Sequence, residues 1–145
     1  MNRTPFVLML IAALTGGAGA DEKIQARDLP AAVRQALERE TRGATIKGYA
    51  RERNTGQTFY EVETTVNGRS RDLLFDARGQ LVEVEEAIDL AAAPTAVRQA
   101  FESHGVVLSV EAVTRSGHTK YEGVVRLKSG KKSEIAVDAD GKPVK

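Results

Sequence analysis

The sequence predicts an α+β fold of two tandem repeats, each one helix followed by three or four antiparallel strands, with the helices on one face of the sheet. Three observations lead there. First, the chain is written twice, and a search for internal repeats comes before any motif. Leu29-Pro30-Ala31-Ala32-Val33-Arg34-Gln35-Ala36-Leu37 returns as Ala93-Pro94-Thr95-Ala96-Val97-Arg98-Gln99-Ala100-Phe101, and Ile24 and Ile88 keep the same spacing. Tyr60-Glu61 matches Tyr121-Glu122, and Asp76-Ala77-Arg78-Gly79 matches Asp138-Ala139-Asp140-Gly141. Second, each copy opens on a narrow apolar stripe at helical spacing and then changes to a period of two. Third, a unit of about 60 residues buries only about 60% of its unfolded surface. Two such units are therefore expected to share a core or join sheet edges, with the second face of the sheet left to solvent or a partner.

Met1 to Arg3 gives a basic start, Phe6 to Leu14 an unbroken apolar run, and Ala18-Gly19-Ala20 a small-x-small site before Asp21. That order is a secretory signal peptide, expected over residues 1–20 with cleavage after Ala20. The apolar run is half the length a membrane span needs, and no later stretch approaches it. The expected mature chain is periplasmic or secreted, without a membrane span. Residues 21–86 form the first expected repeat and 87–145 the second. Loss of Arg3 leaves 20 basic against 20 acidic residues. Such a balance lacks the excess of Lys and Arg with which proteins hold a nucleic-acid backbone, so no nucleic-acid partner is expected. Cysteine is absent, which excludes disulfides, thiol catalysis and thiolate zinc sites.

In the first copy, Asp28 is placed to cap a helix and Pro30 to open it, since a first-turn N–H is unpaired anyway. Val33, Ala36 and Leu37 make the buried stripe, and Gly43 is the left-handed stop. Ala44 to Glu52 reads as a strand that ends at Asn54-Thr55-Gly56. Tyr60, Val62, Thr64 and Val66 share one face of the next strand. Asn67-Gly68 marks a tight hairpin, because both central residues of the primed turn need positive φ. The chain returns through Arg71, Leu73 and Phe75, turns at Asp76-Ala77-Arg78-Gly79, and leaves through Leu81 to Glu85. The second copy follows suit: Pro94 opens a helix with stripe Val97, Ala100 and Phe101, and Gly105 stops it. Strands are expected over Val106 to Thr114, Lys120 to Leu127 and Ser133 to Asp138, with Pro143-Val144 as a remnant of a fourth.

Tyr60-Glu61-Val62-Glu63, then Asn67-Gly68, then Leu73-x-Phe75-Asp76-Ala77-x-Gly79-x-Leu81 resembles the strand-turn signature of PepSY and PepSY-like domains. The Leu-Pro-Ala-Ala-Val helix before it is similar to the PepSY-like group that shares the fold of β-lactamase inhibitor protein. The second copy departs at Gly123, at Pro143 and at Ala93. The resemblance implies a small, secreted or membrane-attached, non-catalytic domain with a binding role; some such domains restrain peptidases, and the inhibitor that shares the fold grips its enzyme with its sheet face.

Chemical candidates are few. His104 and His118 are not spaced with carboxylates as a zinc site requires, so no metal is expected and no cofactor. Glu83, Glu85 and Glu86 alternate with valines as an exposed strand face does. Asp76 and Asp138 lack the ligand series of a calcium loop and read as turn residues. No nucleophile elbow or phosphate-cradling glycine loop occurs, so no catalytic residue is expected. The outward sheet face carries the expected function. By alternation it holds Tyr49, Arg51, Phe59, Glu61, Glu63, Asp72 and Leu74 in the first copy. In the second it holds Glu122, Val124, Arg126, Glu134 and Ala136. Tyr49, Phe59 and Leu74 are the expected anchors for a protein partner in the cell envelope, with Arg51, Glu61 and Glu63 setting its orientation. The alternative is a periplasmic module for a small ligand or a cation.

Overall fold

Eight strands run through the described residues as one antiparallel meander, each paired with its neighbours in sequence. The computed structural model describes residues 21–144; the signal peptide expected over residues 1–20 lies outside the described residues. In chain order the elements are β1 (Glu22–Ile24), α1 (Ala31–Glu40), β2 (Thr45–Asn54), β3 (Gln57–Val66), β4 (Arg69–Asp76) and β5 (Leu81–Ile88), followed by α2 (Thr95–His104), β6 (Val106–Arg115), β7 (His118–Arg126) and β8 (Lys132–Asp138). Short 3-10 turns at Ala26–Asp28 and Leu90–Ala92 precede the two helices.

The expected pair of repeats, each a helix with its own three or four strands, is corrected by this topology. The described residues form one eight-stranded sheet that carries two α-helices. The reason lies in β5. One edge of β5 pairs with β4 from Arg71↔Glu86 to Phe75↔Leu81, and the other pairs with β6 from Glu83↔Arg115 to Ile88↔Val110. An unpaired strand edge exposes a row of backbone donors and acceptors, and continuous pairing removes two such edges from the middle of the molecule. The division expected between Glu86 and Ala87 falls inside β5.

Tight turns are where local chemistry dictates structure most directly. Asn67 and Gly68 sit at φ 51 and 79, and the same left-handed pairs recur at Thr55-Gly56 and Ser116-Gly117. At the Asp76 turn the carboxylate accepts from the backbone N–H of Arg78 and of Gln80, at 2.9 and 3.0 Å. Asp138 does the same for Asp140 and Lys142. Gly79 and Gly141, at φ 80 and 77, lie so close to the first turn of a helix that a Cβ would strike the carbonyl of Ala32 or Ala96. These turns dock the helices as well as reverse the chain. Asp28 accepts from the Gln25 N–H and closes the 3-10 turn, so it does not cap α1. Pro30 is the cap itself, its carbonyl taking the Arg34 N–H at 3.0 Å.

Both helices lie over one face of the sheet. Leu29, Val33, Ala36 and Leu37 pack on Tyr60, Val62, Leu73 and Phe75; Ala93, Val97 and Phe101 pack on Val110, Val125 and Val137. The two clusters meet at β5, where Val84 touches the first and Ile88 the second. Burial of each large side chain contributes about 1.5–3 kcal/mol. Gly123 illustrates the fit. A Cβ there would come within 2.9 Å of the Phe101 ring, whereas the first cluster holds Val62 on its sheet and Leu37 on its helix. Volume given up by the strand is filled by the helix. Pro143 makes only an isolated bridge to Val137, as expected of a residue with no N–H to donate.

Candidate functional site

The face away from the helices is set by register. Glu61 lies opposite Leu74, Leu74 opposite Glu83, and Asp72 opposite Glu85. Glu85 is in turn opposite Val113 on β6, and Glu111 is opposite Glu122 on β7. Directly opposed side chains on one face stand about 4.5–5.5 Å apart at Cβ. Strands β3 to β7 therefore present a bed of carboxylates around a few apolar side chains. Leu74, Val113 and Ala50 belong to neither helix-covered cluster, yet they are only 4%, 2% and 6% exposed. Their neighbours on the sheet close over them.

Burial of this kind raises carboxylate pKa values, since charge is costly where water is excluded. Glu85 is pushed up to about 8 by burial, and by the charges of Glu83, Glu111, Glu122 and Glu61. Glu61 is pushed up to about 7 by burial, then by Asp72 and Glu63. Asp72 rises to about 6 through burial, although the Thr64 N–H donated to its Oδ1 at 3.1 Å pulls the other way. Glu111 and Glu52 are also raised, burial again being the main cause. The ladder between β3 and β4 is interrupted beside Asp72. Between Val62↔Leu73 and Thr65↔Ser70 the backbone pairs give way to side chains: Thr64 takes Asp72 as acceptor at its N–H and donates its hydroxyl to the Arg71 carbonyl.

Two cations on this face are paired with acids of the bed itself. Arg115 donates through Nε to Glu83 Oε2 at 2.7 Å, and Lys120 meets Glu122 at 2.7 Å. Glu61, Asp72 and Glu85 have no ion-pair partner among the described residues. Together with Leu73, Leu74 and Glu83 they line a small open pocket. Among the described residues, no three His, Asp or Glu side chains are grouped closely enough to hold a metal ion. His104 is exposed at the end of α2, with Nδ1 2.7 Å from the Ala100 carbonyl oxygen, and His118 is exposed at a tight turn.

The expected site residues divide between the two faces. Phe59, Glu61, Glu63 and Leu74 lie on the helix-free face by register. Tyr49 and Arg51 do not, and their placement is corrected. Tyr49 pairs with Val62 and packs against the α1 cluster, and Arg51 pairs with Tyr60 and holds Glu22 at 2.7 Å. A bulge between Ile46 and Gly48 is the cause. One extra residue reverses the alternation beyond it. Leu74 is on the expected face but buried, so it is a floor and not a protruding anchor. The carboxylates the sequence reading passed over as a solvated strand face, Glu83 and Glu85, stand at the centre of the bed. Glu83 is only 6% exposed. The signal that finds them is the pairing of β5 with β4, which sets Glu85 opposite an acidic neighbour; nothing local to the Glu-rich run reveals it.

No protein-family model matches the chain, and no curated protein is a detectable relative. Solved structures are similar in fold. A protein ascribed to the periplasm of Bacteroides eggerthii superposes with a TM-score of 0.65 at 22% identity, over 81% of this chain and 86% of that one. A DUF2874 family protein from Bacteroides uniformis gives 0.64 at 24% identity, over 80% and 86%. A BLIP-like protein from Bacteroides fragilis gives 0.59 at 22%, over 81% and 84%. The chain thus has a BLIP-like fold. No helix among the described residues is long and apolar enough to cross a membrane.

Proposed function

We propose that the chain is a non-catalytic, PepSY-like binding module of the cell envelope that docks a protein partner on the helix-free face of its sheet. The observation that carries this reading is the carboxylate bed itself. Repelling acids held partly out of water, with Asp72 and Glu85 directly opposed, work against the fold. Residues that a fold retains at a cost to its stability point to function. Phe59, half-buried beside the Asp76 turn, adds an aromatic contact, and Glu61 and Glu63 add charges that orient a partner. The BLIP-like fold and the periplasmic ascription of one structural neighbour support an exported binding role by analogy of fold. The signal peptide expected over residues 1–20, with cleavage after Ala20, would deliver the chain there. Modulation of an exported enzyme or peptidase is the form of binding this analogy favours.

The test uses the tagged chain to capture proteins from an envelope extract, followed by titration of the purified candidate. The double variant Phe59→Ala, Glu63→Lys should weaken binding at least about ten-fold while its melting temperature stays within a few degrees. Glu38→Ala, on the exposed side of α1, should bind as the parent does. Equal affinity for the parent and the double variant rejects the face as the docking surface.

A further inference from the structure

We propose that the pocket between Glu61, Asp72, Leu74, Glu83 and Glu85 receives the guanidinium of an arginine projecting from the partner protein; this rests on the docking reading above. Four features converge on that occupant. The first is an orphaned acceptor. The Glu83 side chain is 7% exposed and gives one oxygen to Arg115, but its other oxygen, Oε1, is buried with no hydrogen-bond donor from the described residues. A buried, unsatisfied carboxylate oxygen is costly, and a donor arriving with a ligand removes the cost.

The second is charge. Glu61, Asp72 and Glu85 lack ion-pair partners among the described residues, and their mutual repulsion, added to burial, opposes ionisation. An incoming cation turns that repulsion into attraction. The third is spread. The acids are too dispersed to close around a single ion, but cross-strand neighbours about 5 Å apart suit a planar fork with five N–H donors. Lysine offers a point charge with three donors and matches this array less well. The fourth is the floor. Leu74, opposite both Glu61 and Glu83, lines the pocket beneath the acids, and an arginine reaches its charge through a methylene stem that favours such a surface.

The chain has no tryptophan, so a short Gly-Arg peptide carrying one tryptophan reports its own binding by fluorescence. The paired variant Glu61→Gln, Glu85→Gln should weaken that peptide at least about ten-fold and melt at or above the parent temperature at pH 8. Glu38→Gln with Glu102→Gln, an equal loss of charge on exposed helix positions, should leave affinity within about two-fold. The lysine version of the peptide should bind at least about three-fold more weakly than the arginine one. Equal losses from the two variant pairs would show diffuse attraction and overturn the pocket, and equal affinity of the two peptides would overturn the arginine assignment. If the captured partner depends on Phe59 and Glu63 while the peptide ignores Glu61 and Glu85, the docking face stands and only this inference falls.

Discussion

The two faces of this one sheet are built to opposite rules. Under the helices, Val33, Val62, Leu73, Phe75, Val97, Phe101 and Val125 are fully buried and apolar. Across the same strands, one residue away along the chain, Glu61, Asp72, Glu83 and Glu85 gather around Leu74. Alternation lets a single strand serve both ends: β3 gives Val62 to the core and Glu61 to the opposite face. One face supplies the stability that the other draws down. A molecule selected only for stability would have no use for four acids round a leucine.

The sharpest contrast should come from two phenylalanines. Phe75 is 0% exposed in the α1 cluster, and Phe75→Ala should cost about 3–5 kcal/mol. Phe59 lies on the other face and is half-buried, so Phe59→Ala should cost less than about 1 kcal/mol, as surface substitutions do. Urea titration of both variants measures the difference, and equal losses would mean that the helix-free face is a second core.

Next in size is the packing exchange at Gly123. Gly123→Val should destabilise by about 1–3 kcal/mol, because the new side chain meets the Phe101 ring. Adding Phe101→Leu, which restores the Val-and-Leu combination of the first cluster, should recover part of that loss. Calorimetric melts of the single and double variants test this, and absence of recovery would show that the two clusters are not filled by the same rule.

Smaller again, and specific to the acidic face, is the effect of pH. Glu61, Asp72 and Glu85 hold their protons in the folded chain to about pH 7, 6 and 8, above their ordinary values of 4.5, 3.8 and 4.5. Where the folded state binds more protons than the unfolded one, stability falls as pH rises. Stability should therefore be greatest, as far as these groups decide it, below about pH 4, and should decline until about pH 8. Solvent screening keeps the change modest. Glu85→Gln should raise the melting temperature at pH 8, leave it nearly unchanged at pH 4, and flatten the profile between. A variant that melts lower than the parent at pH 8 would count against repulsion on this face.

Much of this was readable from residues close in sequence. Asn67-Gly68 and the Asp76 and Asp138 turns declare themselves, since positive φ and side-chain-to-backbone bonds within four residues need no distant partner. The apolar stripes of α1 and α2 are likewise local. Tyr49 and Arg51 went to the wrong face because strict alternation from Ile46 sets Tyr49 opposite it, and the bulge at Ile46/Gly48 puts both on the same side. A bulge is fixed by pairing with β3, and its one local mark is Gly48 inside Thr45–Asn54. The single sheet was missed for a related reason. Ile88 pairs with Val110 and Glu85 with Val113, contacts separated by α2, so the sequence shows two similar passages and not the join between them. The acidic bed from β3 to β7 is the product of four strand pairings, so Glu85 reads as an ordinary solvated residue until its neighbours are in place.

The face without helices keeps Glu61, Asp72 and Glu85 partly out of water and without an ion-pair partner among the described residues. Residue-specific carboxyl titration by carbon-13 NMR addresses it directly. The expected midpoints are near 8 for Glu85 and near 7 for Glu61, both falling on addition of the arginine peptide. Midpoints for both at the ordinary carboxylate value of 4.5, unmoved by the peptide, would contradict it.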